Sequence, residues 1–127
     1  MRILLIEPSL PPRETKIPGT LESMQALVGG TIQAVFPIED PVALICNDDG
    51  KLLNLPLNRA LRDPDTGEVY DVIAGTFFLC GAPSDSENFT DLTPDQVTAY
   101  TVRFQNPEQF ILINGHLLAI PTDNCHD

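Results

Sequence analysis

Between residues 51 and 62 stand four side chains suited to ligand binding: Lys51, Asn58, Arg59 and Arg62. Arginine forks and an asparagine amide read a carboxylate or phosphate through paired N–H donors, and a lysine adds a mobile positive charge. One reading of the segment is therefore a loop that binds a small anion or a nucleotide. The other is structural. Leu52, Leu53, Leu55, Leu57 and Leu61 bury the segment, Asn58 caps a short helical turn, and Arg59 pairs with the acidic C-terminal half. The structural reading is preferred, because caps and surface ion pairs outnumber arginines that bind ligands.

The other reactive residue types are poorly grouped. Cys46, Cys80, His116 and Cys125 could supply zinc ligands, but zinc sites draw on close ligand pairs and only Cys125-His126 is close. Cys46 and Cys80 sit in apolar runs, where a free thiol behaves as a small hydrophobe. A nucleophilic triad would need His116, beside an Asn-Gly turn, or His126, second from the end, and neither has a marked partner. Asp63-x-Asp65-x-Gly67 starts like a calcium loop, yet it lacks the distal bidentate glutamate and reads as a turn. No Gly-rich phosphate loop follows the first strand. The expectation is a protein with no catalytic residue, no metal and no cofactor.

Charge is distributed unevenly. Residues 1–62 hold six Lys/Arg against seven Asp/Glu, a net of −1. Residues 63–127 hold Arg103 alone against eleven Asp/Glu, a net of −10. Binding to nucleic acid is disfavoured, because phosphate neutralisation needs clustered cations. An acidic face at Asp85, Glu87, Asp91 and Asp95 is the candidate contact for a protein partner.

The 127 residues are 43% hydrophobic, enough for one core that hides roughly two-thirds of the unfolded surface. The opening apolar run breaks at Glu7, too soon for a signal peptide, and no run reaches membrane-spanning length. Three widely spaced cysteines suit a reducing compartment, so a cytoplasmic location is expected.

The elements that must position these residues follow from pattern. Strands are predicted over 2–7, 31–36, 42–46 and 69–80, with a kink at Gly75 and a further short strand at 14–17. Thr20 caps a first helix that stops at Gly29-Gly30. Thr93, Pro94 and Gln96 form the start of a second, whose buried stripe is Val97, Tyr100, Thr101 and Phe104. Asn114-Gly115 joins strands 109–113 and 117–120 in a hairpin. The fold class is α+β: one domain over residues 1–121, an antiparallel or mixed sheet of about five to seven strands, two short helices, and a frayed polar tail over 122–127.

The stretch NDDGKLLNLPLNRAL (47–61), with LVGGTIQAVFPIEDPVALIC before it and DVIAGTFFLCG after it, resembles the domain-of-unknown-function family 3846. The resemblance runs over roughly residues 1–121. It implies a source among gut Firmicutes, phages and conjugative elements, and an accessory role near defence or antirestriction genes. It implies no catalytic residue and no cofactor.

Three functional expectations result. The first is a non-enzymatic accessory protein that binds a protein partner. The second is an anion-binding or nucleotide-binding domain built on Asn58, Arg59 and Arg62. The third, a structural subunit, would show as a large exposed apolar patch.

Overall fold

The computed structural model describes residues 1–122. In chain order the elements are β1 (Arg2–Ile6), β2 (Arg13–Lys16), α1 (Leu21–Val28), β3 (Ile32–Val35), β4 (Val42–Asn47), β5 (Leu57–Arg62), β6 (Val69–Ala74), β7 (Phe77–Gly81), α2 (Pro94–Arg103), β8 (Glu108–Ile113) and β9 (His116–Pro121). One five-stranded antiparallel sheet runs β2-β1-β7-β4-β3, and β5–β6 and β8–β9 are separate antiparallel hairpins.

The three central strands of the sheet are almost continuously apolar because both of their faces are covered. On one face Ile3, Leu5, Ala43, Ile45 and Phe78 meet Met24 and Val28 of α1. On the other, Leu4, Ile6, Leu44, Phe77 and Leu79 meet Tyr100 and Phe104 of α2 and Leu61 and Ile73 of the β5–β6 hairpin. Period-two alternation along each strand divides its side chains between these two cores. Each fully buried leucine or phenylalanine adds about 1.5–3 kcal/mol. The ring of Phe104 stands edge-on to Phe77 at 5.8 Å.

Both helices begin and end where local chemistry directs. Thr20 Oγ1 accepts from Ser23 N at 3.2 Å, and Gly29 closes α1 in the left-handed region at φ +80°. Thr93 and Gln96 form a reciprocal capping box, with Pro94 at the first helical position. Buried Leu92, just ahead of the cap, packs in the same core as Val97 and forms a hydrophobic staple.

The single α+β domain is as expected, but nine strands occur among the described residues where about five to seven were predicted. The difference has two sources. Gly75, at φ +84°, turns the chain so that the predicted long strand becomes β6 and β7. The segment read as a capped helical turn is strand β5. Of the polar tail predicted from residue 122, Thr122 is tied down, its amide donating to Pro107 O at 2.7 Å. Residues 123–127, with Cys125 and His126, lie outside the described residues.

Gly81 and Thr90 exchange two backbone hydrogen bonds of 2.8 Å, which pinch residues 82–89 into a closed loop. A Cβ on Gly81 would collide with the Thr90 side chain and stand 2.6 Å from Asp91 O. Gly81→Ala should therefore lower stability by about 1–3 kcal/mol in urea unfolding. Gly19→Ala, which points into open space, should leave the midpoint nearly unchanged.

Candidate functional site

Strand β5 escaped the period-two pattern because its pairing slips twice. Leu57 faces Ala74, then Arg59 faces Ile73, which leaves Asn58 as an extra residue; a second shift falls between Leu61 and Arg62. Such bulges turn consecutive side chains inward and erase the alternation that marks a strand. Pro56 lies just ahead of the strand, where no ladder hydrogen bond is lost.

The expected helix cap at Asn58 is thus corrected: Asn58 is a fully buried strand residue. Its Nδ2 donates to Ile6 O and Gly75 O, each at 2.9 Å, and its Oδ1 accepts from Arg59 Nη1 at 2.9 Å. Arg59 is 1% exposed. Its Nε donates to Phe104 O at 3.1 Å, Nη1 also to Asn58 O at 3.3 Å, and Nη2 to Leu10 O at 2.6 Å. Phe104 O lies at the C-terminal end of α2, where carbonyls lack helical partners and carry partial negative charge. Burial pulls the Arg59 pKa down, and the nearby Glu108 carboxylate opposes that pull. The expected ion pair of Arg59 with the acidic half is replaced by this set of carbonyl contacts.

The ion pair belongs instead to Arg62. Its Nη2 donates to Glu108 Oε1 at 2.5 Å and to Ala119 O at 3.4 Å, while Glu108 Oε2 accepts from Ala60 N at 2.7 Å. The Glu108 side chain is only 4% exposed. The Asn58–Arg62 segment therefore does hold a carboxylate, and that carboxylate comes from β8 of the same chain. A cleft of about 190 Å³ opens beside it, lined by Arg59, Arg62, Arg103, Asn106 and Glu108. An external anion there would compete with Glu108 for Arg62. Glu108 is the lone Asp, Glu, Lys or Arg between residues 104 and 122, and that isolation was the available signal for its role.

Lys51 does not join this group. It is exposed, pairs with Asp71 at 2.7 Å, and lines a second cleft of about 130 Å³ with Asp48, Asp49 and Cys46. The four acidic candidates behave differently again. Asp85 and Glu87 ride the pinched loop, Asp95 opens α2, and Asp91 Oδ1 accepts from Arg2 N at 2.9 Å. All four are exposed, and none is in an ion pair among the described residues.

Cys46 and Cys80 are free, buried thiols that face opposite cores, a placement that prevents them from sharing a metal. No group of three or more His, Cys, Asp or Glu positioned to hold a metal occurs among the described residues. Asp63 Oδ1 accepts from Asp65 N at 2.8 Å and Thr66 N at 3.1 Å, which makes that segment a self-bonded turn. Tyr100 donates to Asp40, joining α2 to the β3–β4 connection. No described helix is long and apolar enough to cross a membrane.

These observations define an α+β domain whose arginines hold its own secondary elements together and whose acidic rim faces outward. Residues 1–105 match the family model described as a domain of unknown function, DUF3846, and the chain belongs to that family. The match stops before β8, so the β8–β9 hairpin lies outside it. No curated protein and no solved structure matches the chain.

Arg59→Lys keeps a charge but cannot reach three segments at once, and should cost roughly 2–4 kcal/mol in chemical unfolding. Lys51→Ala, which removes one exposed pair, should cost under about 1 kcal/mol. A second expectation concerns pH. Burial raises the Cys80 pKa from 9.0 to about 12, and burial likewise raises those of Cys46 and Tyr100. Above pH 9 the unfolded thiols ionise while the folded ones stay protonated, so the unfolded state binds fewer protons. Stability should then fall as pH rises from about 9 toward 12, and Cys80→Ala should flatten that slope in pH-dependent denaturation.

Proposed function

We propose that this chain is a non-enzymatic accessory protein that acts by binding a basic protein partner along the rim formed by Asp85, Glu87, Asp91 and Asp95. The observation that carries the reading is where the cations lie. Arg2, Arg13, Lys51 and Arg62 pair with Glu14, Glu7, Asp71 and Glu108. Arg59 is buried among carbonyls, Arg103 lies over the Phe104 ring, 5.7 Å from its centroid, and Lys16 stands exposed on β2, in no ion pair among the described residues. The rim carboxylates keep their field outward, so a basic partner meets them without first breaking an internal pair. Such a field steers encounter and weakens with salt over a Debye length of about 8 Å at physiological ionic strength. The resemblance to a family of mobile elements and their hosts adds the proposed setting: a bacterial element or its host, in a role related to defence or antirestriction.

Reversal of the rim charges (Asp85→Lys, Glu87→Lys, Asp91→Lys and Asp95→Lys, singly and together) is the test. Capture of the partner from host lysate, read by mass spectrometry, should fall stepwise with each reversal and with added salt. Capture unchanged in the fourfold variant would refute the reading.

A further inference from the structure

The β8–β9 hairpin breaks the pattern of the remaining surface. Residues 109–121 contain no Asp, Glu, Lys or Arg, in a chain with 18 acidic and 7 basic residues. Ile111 faces Leu118 across the hairpin, Gln109 faces Ile120, and Ile113 faces His116. Alternation therefore sets Ile111, Ile113, Leu118 and Ile120 on one face, and each is 40–47% exposed. At its base the opposite face is held to β5 by Glu108, and Phe110 and Ala119 there are half-buried, while Leu112 (70% exposed) and Leu117 (46%) project from the same face near the turn. Single exposed aliphatics are ordinary, but four contiguous on one sheet face mark an interface. A two-stranded hairpin that keeps aliphatic side chains in water is also marginal without a cover.

We propose that this aliphatic face is a self-association surface, covered by the same face of a second copy of the chain to give a two-fold homodimer. Charge selects the occupant. At net −11 two copies repel, and along this uncharged strip they meet without bringing carboxylates together. Chemistry agrees: the centre of the face offers no polar group to orient an unlike partner, whereas a two-fold contact needs only one self-complementary patch. Size sets the strength. Six-residue strands are roughly 20 Å long, so two hairpins face to face bury on the order of 1,000 Å², at the low end for specific interfaces. The dimer is therefore weak and reversible, with dissociation in the micromolar range. It is independent of the acidic rim and opposite to it in salt dependence, because screening removes repulsion between copies while apolar contact persists.

Sedimentation velocity on the purified full chain, from low to high micromolar and at low and high salt, tests the proposal. The expected result is a dimer that grows with concentration and is favoured by salt. Leu118→Lys and Ile113→Thr should each raise the dissociation constant about tenfold or more, while Leu52→Lys, on an exposed turn elsewhere, should leave it unchanged. Far-UV circular dichroism checks the fold of each variant, and should Leu118→Lys unfold, the milder Ile113→Thr carries the comparison. A monomer at every concentration, a dimer indifferent to the variants, or one weakened by salt would overturn it.

Discussion

A buried guanidinium holds this fold together. Arg59 reaches carbonyl oxygens from three separate parts of the chain: Leu10 after β1, Asn58 on its own strand, and Phe104 at the end of α2. Asn58 extends the same network to Ile6 and Gly75. A cation taken out of water is tolerated only where hydrogen bonds replace its hydration, and here oriented carbonyls do so. The arrangement couples the main sheet, the β5–β6 hairpin and the second helix, so none of the three can shift without exposing an unpaired polar group.

From that constraint follows the placement of the hairpin. With the Arg59 donors occupied by carbonyls, Arg62 is the cation that receives Glu108, and Glu108 also takes the amide of Ala60. One buried carboxylate thus anchors β8–β9 to the domain. The same distribution shapes the electrostatic surface. Five of the seven cations are drawn inward or paired locally, Lys16 and Arg103 being exposed, while the carboxylates of the 82–91 loop and the start of α2 stay out of ion pairs. The molecule presents an acidic rim and, separately, an uncharged aliphatic face.

Much of the fold was legible in the residues. The Thr20 cap, the Thr93–Gln96 capping box, the Gly29 stop and the Asn114-Gly115 turn are local signals whose physics acts within a few positions, and each appears where it was read. The central strands were legible because burial on both faces demands unbroken apolar runs. The β5 strand was not, because two register shifts destroy its alternation and place Asn58 and Arg59 side by side in the interior. Of the four candidate ligand residues, Asn58, Arg59 and Arg62 stay together and Lys51 stands at a different cleft.

By itself the sequence determined the fold class, both helices with their N-terminal caps, the Asn114-Gly115 hairpin and the excess of negative charge, since these depend on composition and short-range periodicity. Tertiary structure alone decided the role of each arginine. Whether a guanidinium binds an external anion, a carboxylate or backbone carbonyls depends on which oxygens the fold brings within 3 Å or so of it, from positions as far away as Leu10 and Phe104. Glu108 became a buried anchor only through contact with residues 46 and 48 positions earlier in the chain.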